Sequence, residues 1–115
     1  MITRKPSEVE RINNPHKVDS RKLYNEEKAN VIHLTLQPGE KLLRHITPVD
    51  VIFYVLEGIG TVEIGEEKKE VDADTLIESP ANVVHCWYNT SNAILRILVI
   101  KIPRPTTPTK FLDKK

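Results

Sequence analysis

Short apolar runs, separated by turn residues and spaced roughly eight to twelve residues apart, constrain this chain more than any other feature. Residues 31–36 stop at Pro38-Gly39, residues 42–45 end before Pro48, and residues 51–57 run into Gly58 and Gly60. Residues 61–64 and 68–71 flank a turn at Gly65-Glu66-Glu67, and residues 75–78 stop at Pro80. Residues 83–88 and 94–102 are separated by a polar turn at 89–92. Runs this short, many alternating with period two, suit strands rather than helices. Seven or so strands of this spacing predict an all-β sandwich or barrel. Residues 23–29 could supply a helical turn, and no internal repeat is visible.

With 115 residues the chain builds one domain around one core. Hydrophobic residues make up 39% and charged residues 29%, the balance of a soluble globular protein. Lys and Arg number 17 against 16 Asp and Glu, a formal net charge of +1. With no aromatic residues set in a basic stripe, neither nucleic acid nor an anionic membrane is an expected partner. Residues 1–10 are polar and hold no leader-like apolar stretch; the run 94–102 is broken by Arg96 and Lys101 and is too short to span a bilayer. The single cysteine, Cys86, can form no internal disulfide, so a reducing, cytoplasmic setting is expected.

Two central strands are apolar on both faces. Val51, Phe53 and Val55 point one way while Ile52, Tyr54 and Leu56 point the other, and residues 97–100 are all aliphatic. An antiparallel barrel normally turns a polar face to water, so a second apolar face needs cover. A homodimer is the expected cover, with the alternative that the N-terminal arm folds back over that face. The expected organisation is an arm or edge strands over 1–30, a barrel over 31–102 and a tail over 103–115. Pro103, Pro105 and Pro108 remove donors from the tail, which reads as loosely ordered. The sharper alternative is that Phe111 and Leu112 dock it on a neighbour.

Two spaced motifs lie within residues 31–102. The first runs Gly39, five residues, His45-Ile46-Thr47, three residues, Val51, six residues, Gly58. The second runs Asp74, five residues, Pro80-Ala81-Asn82, two residues, His85, three residues, Asn89. In order and spacing the pair resembles the two motifs of the cupin superfamily, which are Gly-x5-His-x-His-x3-Glu-x6-Gly and Gly-x5-Pro-x-Gly-x2-His-x3-Asn. The resemblance implies a small double-stranded β-helix, a jelly-roll barrel whose centre lies around His45 and His85. Asp74 and Asn82 stand where the family has glycine; both residue types tolerate positive φ, so the backbone demand is still met.

Metal-binding members hold one divalent ion through the two histidines, the Glu and the second-motif His. The corresponding positions here are His45, Thr47, Val51 and His85. Two imidazoles fall short of the three or four protein ligands usual for zinc or non-haem iron. A tightly held metal is therefore not expected, and weak occupancy by zinc, iron, manganese or nickel through His45, His85 and water stays open. Asp50 adjoins the lost Glu position, but alternation aims it at the opposite face unless a bulge at Pro48-Val49 intervenes. His33 could rebuild the ligand set if it points inward; a structural histidine is the plainer reading.

His45 and His85 read either as ligands or an acid/base pair, or as inherited interior histidines bonded to each other, to Thr47 or to water. Trp87 should share their inward face, as a pocket wall or as core. Cys86 and Tyr88 then face away, and Cys86 has no evident activating base. His16 looks like an ordinary loop residue and residues 65–70 like a solvated hairpin tip. The candidate ligand-binding set is thus His45, Thr47, His85 and Trp87.

These residues support a protein that binds a small molecule inside the barrel, using an apolar mouth and two polar histidines to hold a sugar-like or carboxylate-bearing ligand. An enzyme is the alternative. By resemblance it is either a metal-dependent dioxygenase or decarboxylase, or a metal-free sugar isomerase or epimerase that needs an acidic partner such as Asp50 or Glu57. A third reading is a structural or regulatory dimer with a vestigial cavity.

Overall fold

The computed structural model describes residues 1–114 of the chain. After one short helical turn at Pro6–Glu8 the strands are, in chain order, β1 (Asp19–Glu26), β2 (Ala29–Leu36), β3 (His45–Ile46), β4 (Asp50–Glu57) and β5 (Ile59–Ile64). They continue as β6 (Glu67–Asp72), β7 (Leu76–Ser79), β8 (Val84–Tyr88), β9 (Leu95–Ile102) and β10 (Lys110–Phe111). These form two five-stranded sheets, ordered β1-β2-β9-β4-β7 and β10-β3-β8-β5-β6, with antiparallel pairing throughout. The architecture is all-β, as the spacing of the apolar runs predicts, and its two antiparallel sheets form the jelly roll that the motif resemblance implies.

Period-two alternation decides which side chains enter the barrel. On β9, Leu95, Ile97 and Val99 are buried while Arg96, Leu98 and Ile100 are only partly so. On β4, Val51, Phe53 and Val55 are buried and Ile52, Tyr54 and Leu56 half-exposed. The inward residues merge with Leu36, Val62 and Trp87 into one core. Burying each large aliphatic or aromatic side chain contributes about 1.5–3 kcal/mol. The packing is uneven along the barrel. Leu95, Ile97, Val55 and Trp87 fill one end completely, whereas the other end, reached by Val51, Val99 and Lys101, stays open as a cavity.

Among the described residues three non-glycines have positive φ, including Asp74 at 64° and Asn82 at 65°. These are the two positions where the sequence motif offered Asp and Asn in place of glycine. The Asn82 amide donates to the Thr47 carbonyl at 2.9 Å, so that turn also ties the β7–β8 connection to the strand carrying the first motif. Gly58, at φ 90°, lies against the backbone of Ile94, where any Cβ would collide with the carbonyl. Asn89 closes the opposite turn: its buried amide donates to the carbonyls of Leu36 and Ala93, both at 2.9 Å.

Two expectations need correction. Residues 23–29, read as a helical turn, belong to β1 and its hairpin with β2, because edge pairing satisfies their backbone better than a single helical turn. The tail, read as loosely ordered or docked on a neighbour, returns to its own barrel. Lys110 and Phe111 pair with Ile46 and His45, and the Leu112 amide donates to the Arg44 carbonyl at 2.9 Å. The free edge of the two-residue β3 explains this, since an unpaired edge offers donors and acceptors to any nearby extended chain.

The N-terminal segment lies against β1 and the barrel mouth. Arg21 donates to the Val9 carbonyl at 2.8 Å. The outer faces of β9 and β4 are thereby left without cover from that arm, and Leu76 and Ile102 beside them are 55% and 44% exposed.

Candidate functional site

His45 and His85 are direct cross-strand partners on β3 and β8. Side chains opposite one another on one face of an antiparallel pair have Cβ atoms about 5 Å apart, so the register alone brings the imidazoles together. Their Nε2 atoms are 3.0 Å apart and the rings meet nearly edge-to-face. Both residues are buried, at 8% and 2% exposure.

The surrounding bonds assign the protons. His45 Nδ1 lies 2.6 Å from the Leu43 carbonyl, which can only accept, so Nδ1 carries hydrogen. The neutral ring then presents a lone pair at Nε2, and the His85 Nε2–H donates to it. The Thr47 hydroxyl stands 3.3 Å from the same His85 nitrogen. His85 Nδ1 is consequently an acceptor, served by the Ser79 hydroxyl at 2.7 Å. Burial, reinforced by His45, Lys101 and His16, pushes His85 down to about 3. His45 is lowered chiefly by burial as well. The pair is neutral near pH 7, and each of its four nitrogens has a protein partner.

Above the pair opens a cavity of about 200 Å³. Leu34, Val51, Phe53 and Val99 supply apolar wall, and Ser20, Lys22 and Lys101 add polar atoms from β1 and β9. Segments from both halves of the chain finish the mouth. His16 lies 4.8 Å from His45 with its ring tilted by 60°, and Phe111 lies 5.3 Å from His16 and 5.9 Å from His45 between ring centres. His16 Nδ1 accepts the Leu43 amide at 2.7 Å, which fixes its ring at the rim.

His45, Thr47 and His85 therefore all line the cavity. Trp87 points into the barrel but lies in the fully packed end, edge-on to Phe53 at 5.5 Å, and Phe53 stands between it and the cavity. His33 faces the outside of the first sheet, where it accepts from Arg96 Nε at 3.2 Å; it cannot join His45 and His85. Asp50 is exposed and accepts the Ala81 amide at 2.9 Å, and Glu57 pairs with Arg96 at 3.2 Å. Neither carboxylate reaches the histidines. Cys86 is buried on the far side of β8, its thiol pushed up by burial, the opposite of an activated nucleophile.

Sequence reasoning missed His16, Lys22, Lys101, Ser20 and Phe111. Only Lys101 carried a usable signal: a lysine continuing the inward parity of Leu95, Ile97 and Val99. The others reach the site through tertiary placement of the arm and tail.

The donor set does not fit a resident divalent ion. His45 and His85 supply two nitrogens that are engaged with each other, the third histidine at the cavity, His16, has its Nδ1 occupied by the Leu43 amide, Thr47 is a poor ligand and Val51 none. Among the described residues no group of three or more His, Cys, Asp or Glu side chains is arranged to hold a metal. The one charged group beside the pair on the strand next to Val51 is the ammonium of Lys101, which opposes cation binding.

The sequence profile of the family described as Cupin domain matches residues 32–101. No curated protein matches the chain. Among solved structures, a predicted oxalate decarboxylase from Thermotoga maritima superposes with a TM-score of 0.79 at 24% identity, over 89% of this chain and 99% of that one. The polyketide cyclase RemF from Streptomyces resistomycificus gives a TM-score of 0.83 at 18% identity, covering 100% of this chain and 88% of its own. A protein from Thermus thermophilus gives 0.79 at 27% identity, covering 91% of this chain and 100% of its own. Among the described residues no helix is long and apolar enough to cross a membrane.

Proposed function

Since the chain belongs to the cupin family, we propose that it is a small-molecule-binding cupin whose ligand occupies the barrel cavity beside His45 and His85. One observation carries the reading: the barrel is packed solid at one end and opens at the other into a concave, largely apolar space with a few convergent polar groups, the usual form of a ligand site. The depleted donor set argues that such a ligand is bound by side chains rather than through an ion. The enzyme alternative of a metal-free epimerase lacks its acidic partner, because Asp50 and Glu57 are committed elsewhere on the surface.

The reading includes a homodimer formed across the outer face of the first sheet, in a cytoplasmic setting. Ile52 pairs with Ile100 and Tyr54 with Leu98 across β4 and β9. This half-exposed apolar patch is the same on every copy, as a twofold interface requires.

The test is a small-molecule screen by thermal shift on the full chain, followed by NMR of the histidine ring protons. A binder should raise the melting temperature and shift the His45 and His85 resonances. The double variant His45→Ala/His85→Ala should lose the stabilisation. Because that variant removes a buried pair, Thr47→Val serves as the milder check and should weaken binding while the fold persists. Equal stabilisation of all three proteins by the same compound refutes the reading.

A further inference from the structure

Charge distribution inside the cavity carries an inference about what occupies it. The lining includes Lys22, Lys101 and three histidines, and no Asp or Glu. Lys101 is the inward residue at the open end of β9, directly across from Val51 and Asn30. Its exposure is only partial, and no hydrogen bond or ion pair of its ammonium occurs among the described residues. Lys22, opposite Ile32 on the neighbouring pair of strands, projects into the same space. Ser20, two residues earlier on the same inward face, is buried at 8% exposure and brings a hydroxyl.

A part-buried ammonium without a counter-charge is costly, and a second one nearby adds repulsion. Both effects are felt here: burial, then Lys22, pushes Lys101 below its ordinary range, and Lys101 in turn helps to hold His45 and His85 neutral. A bound anion relieves all of these at once. Each nitrogen of the histidine pair already has a protein partner, whereas among the described residues neither lysine has a hydrogen bond or ion pair.

We propose that the cavity takes a small organic carboxylate, its charged group held between the Lys101 and Lys22 ammonium groups and the Ser20 hydroxyl. Its apolar body lies against Leu34, Phe53 and Val99. The inference rests on the cavity reading above and adds the ligand's chemical class. Inorganic phosphate is the weaker fit. Most of the wall is apolar, and the site presents point charges without a guanidinium fork or a helix N-terminus, the devices that favour phosphate. The volume of about 200 Å³ limits the ligand to a short-chain or single-ring acid.

The experiment titrates the full chain at pH 7 with butyrate and benzoate, with the uncharged butyramide and benzamide, and with inorganic phosphate. Calorimetry and the NMR titration of the Lys101 side chain are the two readouts. At least one carboxylate should bind ten times or more tightly than its amide and move the Lys101 titration upward. Lys101→Met should cost at least tenfold in carboxylate affinity while the unliganded variant melts at the wild-type temperature or above, since an unpaired charge has been removed. Lys101→Arg should retain part of the affinity. Amides that bind as well as the acids overturn the carboxylate assignment and leave the cavity reading standing. Phosphate binding more tightly than either acid overturns it in favour of an inorganic ligand. If neither acids nor amides bind, the assignment fails, and the thermal-shift screen then decides the cavity reading separately.

Discussion

The ring of His85 cannot take a second proton without placing a charge in a dry site beside His45 and Lys101. Its value of about 3 in the folded chain compares with an ordinary 6.5. Between those limits the unfolded chain binds a proton that the folded chain refuses. Stability is therefore full above pH 6.5 and falls as the pH drops toward 3, with His45 and His33, both lowered mainly by burial, adding in the same direction. By pH 5 the His85 share amounts to about 2 kcal/mol. Urea unfolding at pH 7.5 and pH 5 measures it, and His85→Asn should flatten the difference. Equal unfolding free energies in the wild type at the two pH values would show that the ring is not buried neutral. This pair was legible in the sequence, because two spaced motifs each placed a histidine on an inward-facing parity. The third histidine was not: His16 follows a proline in a polar loop, and nothing local says that the loop crosses the barrel mouth.

Among the elements, β10 departs furthest from what its residues announced. Three prolines made the tail look unfit for pairing, and they do keep residues 103–109 out of any strand. Pairing resumes once they are passed, at Lys110 and Phe111. Arg44 and Asp113 fasten the end: the Arg44 amide donates to Asp113 Oδ2 at 3.0 Å, and its guanidinium reaches Oδ1 at 2.9 Å. Both side chains are partly solvated, at 49% and 30% exposure, so the pair adds little to global stability. Its effect is local. Asp113→Ala should leave the melting temperature nearly unchanged while hydrogen exchange at the Arg44 amide accelerates by roughly tenfold. An unchanged Arg44 rate means that the clasp does not hold. Of the remaining strands, β1 was read in part as a helical turn and the run 42–45 contributes only His45 to β3; the others were readable because turn residues bracket them, and their ends moved by a residue or two where register outweighed local pattern. The start of the second motif illustrates the point: Asp74 and Asn82 fulfil a glycine's conformational role, visible from residue type alone.

For the molecule as a whole, alternation separated the two apolar faces of β4, and the motif resemblance, by setting Val51 at an inward position, said which of them is core. What the sequence could not say was which of two coverings applies, since the choice depends on where the arm runs. The arm runs along β1 and the mouth, leaving Ile52, Tyr54, Leu98 and Ile100 half-exposed. Wild-type protein should sediment as a dimer at micromolar concentration, and Ile100→Glu, which sets a charge on each copy's apolar patch, should sediment as a monomer with its fold intact. A monomeric wild type removes the dimer from the proposal. Inside, the rings of His45, His85, Phe53 and Trp87 form an unbroken series of contacts at 4.4, 5.2 and 5.5 Å between successive centres. Trp87 is the chain's only tryptophan and is wholly shielded from water. Its emission should therefore be blue-shifted, insensitive to iodide, and responsive to events two rings away, giving the protein a built-in optical gauge of cavity occupancy that needs no label.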